Sequence, residues 1–144
     1  MDDFGFILDP AFEASSVSVG KLPLCEVRLQ VDARWPWLVL IPQKRGLREI
    51  EDLDVVQRGQ LIEEAVAAGA AVRAVGGVLG LPVEKLNLGA LGNVTPQLHL
   101  HLVGRRAGDP AWPGPVWGVG AAQAYPVETL AQAVVAARSA LNIC

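Results

Sequence analysis

The chain has 144 residues, 51% of them apolar, and a formal net charge of −3 at pH 7. That is enough apolar material for one ordinary core and a single domain over residues 1–144, while the acidic balance excludes a protein that grips a nucleic-acid backbone through a broad basic face. Cys25 and Cys144 show neither metal-type spacing nor a disulfide framework, and Met1-Asp2-Asp3 opens acidic where a secretory segment would be basic. The most apolar stretch, residues 65–81, is broken by Arg73 and is rich in Ala and Gly, so no membrane span is expected and the default setting is cytoplasmic.

In chain order, a short element is expected near residues 6–8, then a short strand at Val17-Ser18-Val19, broken by Gly20. Residues 24–31 alternate and read as a second strand, and Trp37-Leu38-Val39-Leu40-Ile41, closed by Pro42, reads as a covered central one. From Asp54 to Val75 the apolar positions Val55, Val56, Leu61, Ile62, Ala65, Val66, Ala70, Val72 and Val75 fall at helical spacing. Glu49, Glu51, Asp52 and Asp54 favour the start of that long helix, and Gly76-Gly77 is expected to end it. Leu86-Asn87-Leu88 and residues 97–103 follow as strands, separated by the turn-rich stretch 89–96.

Residues 104–120 hold three prolines and two tryptophans, which predicts a loop of fixed shape. A C-terminal helix is expected over 126–141, with Val127, Leu130, Val134, Val135 and Leu141 as its buried stripe. Early strands that follow one another without helical crossovers point to an α+β fold with an antiparallel sheet.

The chemistry concentrates in Gln97-Leu98-His99-Leu100-His101-Leu102-Val103, which holds both histidines of the chain. On a strand, Gln97, His99 and His101 share one face and the leucines the other, with the two histidine backbones roughly 7 Å apart. One phosphate, metal or carbonyl could meet both imidazoles. Three readings stand at this point. The polar face can be the solvated side of a sheet. Two imidazoles at i, i+2 can ligate zinc, but a third ligand would have to be Asp, Glu or a distant cysteine. A neutral imidazole can also act as a nucleophile towards phosphorus, with a second imidazole donating to the phosphate or the departing oxygen.

The run resembles the signature of the histidine triad (HIT) superfamily of nucleotide hydrolases and transferases, His-x-His-x-His followed by two apolar residues. Asn87-Leu88-Gly89 and Gly92-Asn93 resemble the Asn-x-Gly and Gly-Gln that precede the triad, and Arg105-Arg106-Ala107-Gly108-Asp109 resembles a downstream Arg-Lys-Ala-Gly-Asp. Trp112-Pro113-Gly114 is similar to a Trp-Pro-Pro-Gly near the family's C-terminus, and Leu38-Val39-Leu40-Ile41-Pro42 to one wall of its nucleotide pocket. The likeness covers residues 32–117 in the family's order. Gln97 stands in place of the first histidine, which resembles a variant bacterial branch, and Trp37 in place of a histidine at the start of the pocket strand.

The resemblance implies an α+β, HIT-like antiparallel sheet of about five strands that dimerises through a continuous sheet, with the Pro/Trp-rich loop approaching the partner's site. It implies His99 as nucleophile at an α-phosphorus and His101 as hydrogen-bond donor to the phosphate or leaving group. Gln97 would keep hydrogen bonding without proton transfer. It also implies Asn87 and Asn93 as phosphate contacts, Asp32 as a ribose contact, no metal and no cofactor. The substrate would be a nucleoside phosphoramidate, dinucleoside polyphosphate or related nucleotide, and the partners a nucleotide and a second copy of the chain. The competing class is a nucleotide-binding module without turnover. Trp35 and Trp37 are as fit for core packing as for stacking, and Arg105 and Arg106 read as solvated surface charges.

Overall fold

The computed structural model describes residues 5–143. The chain builds helix α1 (Pro10–Ser15), strands β1 (Ser16–Lys21), β2 (Cys25–Gln30) and β3 (Trp37–Pro42), helix α2 (Val55–Leu79), strands β4 (Lys85–Gly89) and β5 (Leu100–Arg105), and helix α3 (Val127–Ala140). The five strands form one antiparallel sheet in the order β1-β2-β3-β5-β4. The fold is α+β, as the order of elements predicts.

The sheet separates two apolar layers. On one face Val27, Leu29, Leu38, Leu40, Leu100 and Leu102 pack with Leu61, Ala65, Ala68, Val72 and Val75 of α2 and Ala133 and Ala137 of α3. On the other, Trp37, Val39, Ile41 and Val103 meet Phe12 of α1 and Val116 of the Pro/Trp-rich loop. The helices therefore seal one face, and α1 with the loop partly roofs the other.

Several boundaries differ from the sequence expectations for local reasons. Instead of an element at residues 6–8, Asp9 caps α1 by accepting the Ala11 N–H at 2.9 Å, with Pro10 suited to the first turn. Helix α2 starts at an Asp54 capping box with Gln57 but passes through Gly76-Gly77 and stops at left-handed Gly80 (φ 67°). Gly76 is there for closeness: a Cβ would stand 2.6 Å from the Leu81 carbonyl oxygen. Strand β5 begins at Leu100, three residues late, because the Leu98 N–H is taken at 3.0 Å by the Leu47 carbonyl outside the ladder.

The buried stripes also differ. Leu130 and Val134 of α3 and Leu141 at its C-cap pack on the core as expected, but Val127 and Val135 are exposed and Ala133 and Ala137 are buried in their stead, while Val55, Val56, Ile62 and Val66 of α2 face outward. Small alanines let α3 approach α2 closely, which larger side chains would prevent. Glu64 is buried within α2, and its carboxylate accepts the N–H groups of Leu24 and Cys25 at 2.8 Å each, closing the β1–β2 connection. Burial and the adjacent Glu64 push the Cys25 thiol well above its usual range, which leaves it inert as a thiolate.

Arg105 is not a surface charge. It is 1% exposed, bound bidentately by Asp109 at 2.8 and 3.0 Å, and donates to Asn87 Oδ1 at 2.8 Å. Next to it, Gly104 lies where a Cβ would come within 2.7 Å of both Pro36 and Val83 and 3.0 Å of Val72. Gly104→Ala is expected to cost about 1–3 kcal/mol from overpacking, measured by urea denaturation. An unchanged midpoint would show that the neighbours yield.

Candidate active site

Both histidines lie on the face roofed by α1 and the loop, His99 5% and His101 8% exposed. Their ring centroids are 4.8 Å apart and nearly perpendicular, at 74°. His99 Nδ1 sits 2.7 Å from the Gln97 carbonyl oxygen. A carbonyl only accepts, so Nδ1 carries a proton and the neutral ring has its lone pair on Nε2. The Phe12 ring stands edge-on to His99 at 4.9 Å and limits its rotation.

His101 has the opposite tautomer. The Trp37 indole Nε1–H donates to His101 Nδ1 at 3.0 Å, so the imidazole proton is on Nε2. The site thus pairs a ring nitrogen with a free lone pair and one with a free N–H. Burial first, and then the neighbouring His99, push His101 down to about 4 from its ordinary 6.5. It stays neutral at neutral pH.

The unfolded chain therefore takes up a proton at His101 in a window where the native state does not. Stability is fully present above pH 6.5 and is lost as pH falls towards 4, by about 3 kcal/mol. Urea titrations at pH 7 and pH 4 measure this, and His101→Asn should flatten that part of the profile. Equal pH slopes in the two proteins would contradict it.

A cavity of about 320 Å³ opens over the pair, lined among others by Phe12, Ser15, Gln30, Val39, Asn93 and Trp117. A smaller one of about 210 Å³, bordered by Arg48, Glu49, Gly92 and Leu98, shares Asn93 and His99 with it. The two lobes meet at His99. Gly92 keeps that junction open, because a Cβ there would lie 2.9 Å from the Thr95 carbonyl oxygen and 3.7 Å from His99 Cε1. Trp117 stands edge-on to His101 at 5.3 Å within its own chain.

Of the six residues singled out in the sequence, His99, His101 and Asn93 come together. Gln97 contributes its carbonyl to His99, while its side chain accepts from the Asp9 N–H and donates to the Ile7 carbonyl, each at 2.9 Å. It ties down the segment that leads into α1. Asn87 lines neither cavity and is engaged by Arg105. Asp32 also stands outside both: Arg34 holds it through Nε at 3.0 Å and Nη2 at 2.8 Å. Burial would raise the Asp32 carboxyl, but the hydrogen bonds from Arg34 and from the Gln123 N–H outweigh it and hold it below its usual value. Sequence reasoning missed Phe12, Ser15 and Gln30. For Gln30 the signal was present, since it alternates with the buried Val27 and Leu29 set towards the opposite face.

Among the described residues, no group of three or more His, Cys, Asp or Glu side chains is placed to hold a metal ion. No helix among them is long and apolar enough to cross a membrane.

The model of the HIT domain matches residues 11–108. No curated protein gives a significant match. Among solved structures, a histidine triad protein from Sinorhizobium meliloti 1021 is 38% identical over 97% of this chain and 100% of its own, with a TM-score of 0.89. A histidine triad protein from Bradyrhizobium japonicum is 38% identical over 94% of this chain and 98% of its own (TM-score 0.85). One from Marinobacter aquaeolei VT8 is 38% identical over 95% and 96% (TM-score 0.85). A domain match over most of the chain and near-complete superposition on three bacterial histidine triad proteins agree with the geometry of the paired imidazoles, and the chain belongs to the HIT domain family.

Proposed function

We propose that the protein is a nucleotide hydrolase or nucleotidyl transferase in which His99 Nε2 attacks an α-phosphorus. The observation that carries this reading is the 2.7 Å contact of His99 Nδ1 with the Gln97 carbonyl, which in the neutral ring puts the lone pair on Nε2, on a residue that lines both cavities. His101 Nε2–H then donates to a phosphoryl oxygen, and Asn93 supplies a neutral polar contact beside it. The nucleoside occupies the larger lobe among Phe12, Val39 and Trp117, whose apolar walls discriminate weakly between bases. Asn87 and Asp32 act from behind, by fixing Arg105 and Arg34, and do not touch substrate in this reading.

Intact-protein mass spectrometry tests it directly. After brief incubation with diadenosine triphosphate and a quench without acid, the mass should rise by one adenylyl group, with AMP released on longer incubation. Tight nucleotide binding with neither adduct nor AMP would identify a binding module instead. That second reading is favoured by one feature, the amide of Gln97, which cannot carry a proton through a reaction.

The same reading includes a homodimer joined edge to edge. Strand β4 ends the sheet, its Leu88 is 50% exposed, and Ile62 and Val66 of α2 are exposed as well. An unpaired, partly apolar edge is a template for strand pairing. Light scattering at micromolar concentration should give twice the 15.2 kDa chain mass, and a monomer mass would overturn the dimer.

A further inference from the structure

Resting on His99 as nucleophile, we propose that Trp37 restricts the site to leaving groups that depart as stable anions, so that nucleoside phosphoanhydrides react and phosphoramidates do not. The argument turns on where protons can reside around His101. An indole N–H is a donor without acceptor capacity and does not ionise at accessible pH. Placed 3.0 Å from His101 Nδ1, it points its hydrogen at the position where an imidazolium would need one.

His101 could serve as a general acid in two ways, and the structure obstructs both. It could start as an imidazolium, but the second proton would face the indole N–H and break the hydrogen bond that satisfies Trp37, itself 5% exposed. It could instead surrender Nε2–H from the neutral ring, but that would leave an imidazolate, and a neutral imidazole is too weak an acid near neutral pH to protonate the nitrogen before its bond to phosphorus breaks. A residue with a lone pair at position 37 would remove the first obstacle.

Among the described residues, no neighbour in either lobe replaces the missing acid. The Gln97 amide is not ionisable, and both its polar atoms are occupied by Asp9 and Ile7. Ser15, Gln30, Asn93 and Thr95 in the larger lobe offer hydroxyl and amide hydrogens only. In the smaller lobe Arg48 is a guanidinium that does not release its proton, and Glu49 is an exposed carboxylate.

With a phosphoanhydride the step balances without an acid. The bond from His99 Nε2 to phosphorus forms, the phosphorus–oxygen bond breaks, and its electron pair leaves on an oxygen of a phosphate that is already a stable anion. His99 becomes cationic and keeps its Nδ1–H on the Gln97 carbonyl. Water then forms the new phosphorus–oxygen bond, Nε2 recovers its electron pair, and the water's proton passes to solvent. With a phosphoramidate the electron pair would fall on nitrogen, which must gain a proton as it departs.

The test compares diadenosine triphosphate with adenosine 5′-phosphoramidate, which transfer the same adenylyl group, by initial rates of adduct formation and AMP release. A general acid contributes on the order of 10²-fold or more. The wild-type protein should therefore favour the anhydride by about 100-fold or more in kcat/KM, and Trp37→His should narrow that ratio at least about tenfold by raising the phosphoramidate rate. A series of adenylyl aryl esters of graded phenol acidity, run on the wild-type protein, gives a readout independent of how the variant folds. A steep dependence of rate on leaving-group acidity supports the assignment. Comparable adduct formation from both substrates, or a flat dependence, overturns the role of Trp37 and leaves His99 as nucleophile intact. No adduct from either substrate overturns both.

Discussion

Replacing His99 with Ala is expected to abolish the adenylyl adduct and to lower AMP release by about 10³-fold or more, roughly 4 kcal/mol of barrier, while nucleotide affinity largely persists. The reasoning separates attack from binding. Alanine removes the one ring nitrogen whose lone pair is kept free by the contact with the Gln97 carbonyl, and it leaves Phe12, Val39 and Trp117 in place as cavity walls. His101→Ala should behave differently: the nucleophile remains, but the phosphoryl donor is lost and the Trp37 N–H is left buried without a partner. A His99→Ala protein with wild-type turnover would exclude covalent catalysis through this residue. A wild-type protein with no turnover to lose would place the chain among non-catalytic binders.

The second large effect concerns the ion pair beneath the loop. Asp109→Ala leaves the Arg105 guanidinium buried and uncompensated, with two hydrogen bonds lost at once. Removal of one partner of such a pair costs about 3–5 kcal/mol, which for a domain of this size is a fall in Tm on the order of 10 °C. The carboxyl itself reports the strength of the arrangement. Burial alone would raise it, but the hydrogen bonds from Arg105 and from the N–H groups of Ala111 and Arg106 hold it far below the usual carboxylate range. Asp109 also anchors the loop that carries Trp112, over which the Arg105 guanidinium lies 5.7 Å from the ring centroid, and Trp117. Thermal denaturation of Asp109→Ala and of Arg105→Met/Asp109→Ala measures both parts. The double variant, which removes the stranded charge, should be the more stable of the two. A loss under about 1 kcal/mol in Asp109→Ala would mean that water reaches the guanidinium.

Both effects depend on features of unequal visibility in the sequence. The alternation around His99 and His101 was legible because side-chain direction on an extended chain has a period of two, whatever the ladder does. It survived even though β5 starts only at Leu100. The five-residue apolar run at β3, the Asp54 start of α2 and the antiparallel order were legible for the same local reasons. Arg105 and Asp109 were visible as an Arg-to-Asp spacing of four residues, but exposure was not. Whether such a pair is solvated is decided by what covers it, and here that is packing from elsewhere in the chain.

The sequence by itself determined the α+β class, the pairing of two imidazoles on one face and the family to which they belong, because periodicity and motif spacing are properties of neighbouring residues. Only the tertiary structure decided the proton positions. His99 is oriented by a carbonyl two residues away, but His101 is set by an indole 64 residues distant, and Gln97 is tied to a segment 88 and 90 residues away. It likewise drew Asp32 to Arg34 and Gln123 and Asn87 to Arg105, outside both cavities. A polar side chain goes to the partner that best satisfies its hydrogen bonds under burial, and that partner is chosen by how the strands and loops close, not by its distance along the chain.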